Sequence, residues 1–284
     1  MGLSESACVT LYAVRGTAAP KWGAMDYATI GGLILGVSAV LVGFFLEGGH
    51  LASMIQRPAM LLVLGGTLGA SMITTSFRTI ANIPRLLRIA LFGCTPDPMQ
   101  TIDELVMMAE QARRKGILAL EEKLASVSDP FFRKALELVI DATEVTVLTT
   151  ILETEIINIE ERHHKGVILF SKMGGFAPTL GILGTVLGLI HALGNTDDAS
   201  KMAASIASAF IATLWGVGSA NLFFLPIADK LKHRHDEEMV RLNLLTEGIV
   251  AIQSGDNPRM IRTRLLSFIR PDLRAPERAL SAVA

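Results

Sequence analysis

The chain has 284 residues, of which 50% are hydrophobic and 19% charged, with a mean hydropathy of +0.46. That balance is too apolar for an ordinary soluble domain and matches an integral membrane protein. A formal net charge of −1 lacks the basic field of a nucleic-acid binder.

The first 24 residues, MGLSESACVTLYAVRGTAAPKWGA, have no basic start followed by an apolar core and make a poor signal peptide. Residues 1–24 are expected to be a disordered extension or a wrongly assigned start, because the apolar pattern opens only at Met25 in MDYATIGGLILG. Four segments have the length and polarity of bilayer-spanning helices, which need about 20 mostly apolar residues. They are Tyr27–Leu46, Pro58–Phe77, Lys172–Gly194 and Met202–Ala228, and none holds a carboxylate or an arginine in its interior. The predicted fold is an all-α integral membrane protein with four transmembrane helices in two pairs. Residues 25–77 form the first pair, 78–171 a large helical cytoplasmic insert, 172–228 the second pair and 229–270 a cytoplasmic C-terminal helical extension. Residues 271–284 are expected to be a disordered tail.

Flanking basic residues set the orientation. Lys21, Arg78, Arg85, Arg88, Arg162, Lys165, Lys172, Lys230, Lys232 and Arg234 fall on one side, against Arg57 and Lys201 on the other. The first side is expected to be cytoplasmic, with both termini and the insert on it.

Within the insert, DPMQTIDELVMMAEQARRKG has Met99, Ile102, Leu105 and Val106 at helical spacing and Gly116 as a stop. ILALEEKLA reads as a short second helix. Asp129–Pro130 opens a third, with proline in the favoured first turn. From about Thr146 a long amphipathic helix is expected to run straight into the third span. The fourth span is expected to continue past Pro226 into ADKLKHRHDEEMVRLNLLTEGIVAIQSG.

The spans carry features beyond those of an anchor. Gly181, Gly184 and Gly188 in the third span and Gly216 and Gly218 in the fourth allow close backbone approach, and helix packing within one chain accounts for most of them. Thr185 and Thr213 sit mid-span, where a hydroxyl either bonds its own helix or serves a path. Asn221 is expected to bond a neighbouring helix, since an unsatisfied amide in hydrocarbon costs several kcal/mol. Pro178 and Pro226 lie near one end of their spans, as static kinks or as hinges. No acid lies within the spans, and His191, near the outer end, is the one ionisable candidate. If ions pass here, the titrating carboxylate comes from a partner chain with an acidic residue in its own membrane helix.

The stretches APTLGILGTVLGLIHAL, ATLWGVGSANLFFLPIADKL and GDNPRMIRTRLLSFI, with the two-plus-two topology and the long insert, resemble the MotA/PomA stator subunit of the bacterial flagellar motor. The resemblance covers about Met25 to Pro271. It implies five copies around two copies of a MotB or PomB partner, whose membrane helix bears the ion-carrying aspartate and which anchors to peptidoglycan. It also implies a cytoplasmic body that pushes on the rotor protein FliG. By the same resemblance Pro178 and Pro226 are the coupling prolines and Thr185 and Thr213 the ion-path threonines. In ARRKGILALEE, Arg113 and Glu121 match the rotor-facing charges, with Arg114 and Glu122 adjacent. Read from the residues alone, that cluster is a solvated turn, and only the resemblance points to rotor contact: cations end one helix and acids begin the next, each favoured by about 0.3–1 kcal/mol. The coupling ion is expected to be H+, with Na+ the alternative, and no other cofactor is implied.

The nearest competing reading is an ExbB/TolQ-type proton channel subunit, whose chains have three spans; the first pair here argues against it. A secondary transporter needs an intramembrane charge or a broken helix. No enzyme is expected, for no P-loop, GxSxG, HExxH or CxxC stands in a catalytic context. Cys8 and Cys94 fall in no metal or redox spacing. His163–His164 and His233/His235 lie in charged stretches and are read as solvated, not metal-binding.

Overall fold

The computed structural model describes residues 27–92 and 97–271; the expected N-terminal extension, the tail beyond 271 and both cysteines lie outside them. Every regular element among the described residues is helical. In chain order, α1 is Tyr27–Leu46, followed by a 3-10 turn at Leu51–Met54. The second apolar segment is α2 (Arg57–Met60), a π-helical stretch (Leu61–Gly65) and α3 (Gly66–Thr74), followed by α4 (Phe77–Ala81) and α5 (Ile83–Phe92). Then come α6 (Pro98–Lys115), a 3-10 turn (Ile117–Leu120), α7 (Glu121–Leu124) and α8 (Pro130–Ile140). Helix α9 runs from Val145 to Leu193 over 49 residues, and α10 covers Ala199–Ser219. A second π stretch (Ala220–Phe224) leads into α11 (Leu225–Gln253), and α12 (Pro258–Leu266) closes the described chain.

Four of these runs are long and apolar enough to cross a membrane: Ala28–Leu46, Arg57–Thr74, Val145–Leu193 and Ala199–Gln253. The third and fourth spans do continue as helices beyond their apolar stretches, as the sequence pattern indicates. Two differences stand out. The second span stops at Thr74, because Thr75 turns to extended backbone, and Phe77 instead begins α4. The ILALEEKLA segment forms one turn of 3-10 helix before its single α-turn.

Residues 97–161 and 234–271 form one compact unit, and residues 27–92 and 162–233 another. The first, polar outside, starts three of its helices with one device. Asp97–Pro98, Asp129–Pro130 and Asn257–Pro258 each put a side-chain oxygen before a first-turn proline. The oxygens accept from Met99 N at 2.9 Å, Phe131 N at 2.8 Å and Arg259 N at 3.0 Å. This satisfies donors that the helix leaves orphaned, and proline lacks the donor that would compete. Gly116 and Gly255, at φ +86° and +74°, make the left-handed exits that a side chain resists. The core joins Ile102 and Leu105 of α6, Leu136 of α8, Leu148 and Leu152 of α9, Leu245 and Ile249 of α11 and Ile261 of α12.

Asp129 has a second duty in that unit. Its Oδ2 lies 2.5 Å from Arg241 on α11, and the two side chains are only 16% and 10% exposed. One carboxylate thus caps α8 and neutralises a nearly buried guanidinium. Asp129→Ala is expected to cost about 3 kcal/mol by removing the cap and stranding the cation. Asp129→Asn, which keeps a capping oxygen, is expected to fall between the two. Thermal denaturation of the detergent-solubilised protein should rank wild type above Asn above Ala; equal melting temperatures would refute the double role.

The unit holding the spans is built around Val63, Phe170, Met173, Ala177, Ala220, Phe224 and Ile227. Leu86 of α5 packs where a side chain at Gly166 would stand, and Leu180 of α9 packs on Gly66, so α3–α5 lie along α9. Buried hydroxyls in the second span are satisfied within it: Thr67 Oγ1 donates to Val63 O at 2.5 Å and Ser71 Oγ to Thr67 O at 2.7 Å. That is how short polar side chains survive in hydrocarbon.

Candidate functional site

The seam between α9 and α10 is made of the small residues singled out in the sequence. A Cβ on Gly216 would stand 2.7 Å from Ala177 O and 2.9 Å from Gly181 Cα. A Cβ on Gly181 would stand 3.1 Å from Ala212 O, and side chains at Gly184 and Gly188 would meet Ala212 Cβ and Ala209 Cβ, each at 2.7 Å. Main-chain atoms and alanine Cβ atoms make these contacts, and no rotamer change relieves either. Gly218 differs: nothing lies within 4 Å of its Cβ position. It plays no part in the close approach.

Close approach brings the two mid-span threonines together. Thr185 Oγ1 and Thr213 Oγ1 are hydrogen-bonded to each other. Thr185 Oγ1 also lies 3.1 Å from Gly181 O and 3.3 Å from Ala209 O, and Thr213 Oγ1 lies 3.5 Å from Gly181 O. Two hydroxyls and two carbonyls of both helices therefore converge, with two protons to share among them. Such a cluster can ligate a cation or hold water. It cannot take up a proton at physiological pH. Between Lys172 and His191 on α9, and between Lys201 on α10 and Asp229 on α11, no residue is ionisable. His191 is exposed near the end of α9, six residues beyond Thr185.

The prolines occupy two different settings. Pro178 sits inside α9, whose helix continues without a break. Pro226 is the second residue of α11, directly after the π stretch Ala220–Phe224. The second span repeats that pairing of proline and π turn, with Pro58 shortly before Leu61–Gly65. A π turn shifts the bonding partner by one residue, which accommodates the donor lost at Pro226, whereas Pro58 stands in the first turn of α2 and removes no helix bond. Among the described residues Asn221 forms no bond to a neighbouring helix: it is exposed, and its Nδ2 donates to Val217 O at 2.9 Å, four residues back on its own helix. A short amide reaches that carbonyl without any partner.

The charged turn lies in the other unit. Arg113, Arg114 and Lys115 form the last turn of α6, and Glu121 and Glu122 the first turn of α7, all exposed. Gln111 Nε2 holds the turn shut by donating to Ala119 O at 2.8 Å. Arg114 pairs with Glu110 at 2.7 Å, on the same helix. Arg113, Glu121 and Glu122 make no hydrogen bond or ion pair among the described residues, and exposed Leu118 and Met107 lie on the same elements. On α6, burial raises the Glu104 carboxyl above its ordinary pKa, and the charge of Lys123 opposes that shift. Among the described residues, no three His, Cys, Asp or Glu side chains gather as a metal site.

Sequence reasoning missed Trp215. Its Nε1 donates to Met54 O at 2.8 Å, tying α10 to the connection between the first two spans. The signal was present: an indole N–H in mid-span needs an acceptor, and the Met54 carbonyl accepts from it as well as from Gln56 N.

Two family models match this chain. Residues 30–116 fit Motility protein A N-terminal, and residues 123–243 fit the MotA/TolQ/ExbB proton channel family. Motility protein A of Bacillus subtilis is 33% identical over 249 residues, which cover 86% of this chain and 91% of the relative. Chemotaxis protein PomA of Vibrio alginolyticus is 33% identical, with 89% of this chain and 99% of the relative covered. Among solved structures, the C. jejuni MotAB structure superposes with a TM-score of 0.83 at 30% identity, over 89% of this chain and 98% of that one. The flagellar MotAB stator complex of Bacillus subtilis gives 0.81 at 30% identity, over 86% and 97%. With 30–33% of the aligned residues identical across nearly the full length of these relatives, and with both family models satisfied, the chain belongs to the MotA/TolQ/ExbB proton channel family.

Proposed function

We propose that the chain is the channel-forming, torque-generating subunit of a flagellar motor stator. The observation that carries this reading is the α9–α10 seam. Hydroxyls and carbonyls suited to passing an ion stand mid-span in a chain that has no carboxylate there to receive one. A MotB-type partner with a membrane aspartate and a peptidoglycan-binding domain supplies the acid. The likeness to MotAB complexes supports that pairing. Five copies of this chain surround the partner's helices, and the exposed apolar faces of α9 and α10, such as Ile182, Val186, Ile190 and Phe210, are the surfaces such a ring would cover. The chain sits in the bacterial inner membrane as a multi-pass protein with both termini cytoplasmic, in keeping with the asymmetry of its flanking lysines and arginines. It is a channel subunit and no enzyme.

Ion movement past Thr185 and Thr213 is coupled to the cytoplasmic unit through bending at Pro178 and Pro226, and H+ is the coupling ion. In the other unit, Arg113, Arg114, Glu121 and Glu122 engage FliG. Exposed, and for three of the four without a side-chain partner among the described residues, they are available to an outside charge. An ExbB/TolQ-type role finds less support, since the matched N-terminal region at residues 30–116 is of the motility type.

Deleting the gene is expected to leave flagella assembled but not turning; a swimming strain with no paralogue would overturn the stator reading. Arg113→Glu should reduce swimming speed and stator recruitment, with recovery by a compensating charge change on FliG. Unaltered motility would mean that the turn is merely solvated. Swimming at fixed proton-motive force should be indifferent to removal of sodium, and arrest in sodium-free medium would instead assign Na+ to the threonine pair.

A further inference from the structure

We propose that an apolar cleft in the unit holding the spans is a binding site for an anionic phospholipid, with an acyl chain in the cleft and the phosphate against the arginines of α4 and α5. The cleft measures about 540 Å³, within the range of roughly 300–1,000 Å³ usual for small-molecule sites. Its walls include Leu33 and Val37 of α1, Leu68 of α3, Phe170 of α9, and Trp215 and Gly218 of α10. The few polar atoms in those walls are already satisfied. The Trp215 indole donates to Met54 O, and the hydroxyl of Ser219 donates to Gly216 O at 3.2 Å. Water needs two to four polar partners and finds none here, while a void of this size is too large to stay empty in a packed protein. Hydrocarbon is the remaining occupant. Val37 and Phe223, both exposed, border the cleft and leave it open to the side.

Apolarity alone does not hold a lipid, because the surrounding tails are as apolar as the cleft. Residence requires a hold on the headgroup, and the cleft has one at one end. Ile83, the first residue of α5, lines it. From Phe77 to Phe92 the chain carries Arg78, Arg85 and Arg88 and no acid. Ile83, Leu86 and Leu87 pack against the core of this unit, whereas all three arginines are exposed. With about 1.5 Å of rise per residue, Arg85 and Arg88 stand roughly 3 and 7.5 Å beyond Ile83 along the helix. That is the reach of a phosphate ester whose chain enters the cleft. A short amphipathic helix with a wholly basic polar face favours anionic lipid, and guanidinium forks match phosphate oxygens. The inference does not depend on the stator reading.

The test uses the full-length protein in the assembly it forms, reconstituted in vesicles of equal phosphatidylglycerol and phosphatidylcholine and then examined by native mass spectrometry. Phosphatidylglycerol should be retained in preference, one per copy of this chain. Gly218→Phe, at a position with open space around its Cβ, should fill the cleft and lower retention by about tenfold or more. The double variant Arg85→Gln/Arg88→Gln should abolish the preference between the two lipids; it decides the matter alone if Gly218→Phe fails to assemble. Equal retention of both lipids by the wild type, or undiminished retention by an assembled Gly218→Phe protein, would overturn the proposal. So would a disulfide formed between a cysteine placed at Val37 and a neighbouring copy, which would make protein the occupant. Motility is not read, so the outcome stands whether or not the chain drives a flagellum.

Discussion

Helices α9 and α10 meet main chain to main chain, and the membrane-embedded chemistry follows from that contact. Gly181 and Gly216 approach so closely that a single methyl on Gly216 would strike the Ala177 carbonyl. In lipid there is no hydrophobic drive to press helices together, so packing of small residues and hydrogen bonds must do it. The same approach carries Thr185 and Thr213 into mutual hydrogen-bonding distance and adds Gly181 O and Ala209 O to the group. Oxygen atoms of two helices are thereby concentrated in hydrocarbon without a formal charge, which would be costly there.

The division of labour between chains is a corollary. A seam of hydroxyls and carbonyls can lower the barrier to an ion but cannot titrate. If ions pass along this seam, the group that binds and releases them has to come from a companion chain. Charge is instead concentrated in the other unit and at the ends of the spans, where water solvates it. The exposed cluster from Arg113 to Glu122 is arranged by ordinary helix-end electrostatics, with cations closing α6 and acids opening α7. Dipole complementarity explains why those charges are tolerated, while their exposure leaves them able to serve a partner.

The polar unit shows how strongly short-range chemistry specifies its helices. An Asx–Pro pair begins α6, α8 and α12, and left-handed glycines follow α6 and α11. Each is a local signal, complete within three or four residues, and each could be read before any tertiary contact was known. Asp129 goes further: as a cap it is local, but its pairing with Arg241 spans more than 100 positions and could not be anticipated.

What the sequence determined by itself was whatever depends on neighbours along the chain or on bulk polarity. The four apolar spans, the helical continuations of the third and fourth, the stop at Gly116, the starts at Asp97 and Asp129 and the lack of an internal acid all belong there. Periodicity, caps and uncharged length act over a few turns of helix. Tertiary structure alone decided which small residues face each other. Gly181 and Gly216 touch while Gly218 stands over open space, although both glycines of the fourth span look alike in sequence. It also decided that Asn221 turns back on its own helix, that the threonines pair, and that Trp215 reaches Met54. The physical reason is rotational: composition places a residue at a depth in the membrane, but only the packing of one helix against another fixes the direction in which it points.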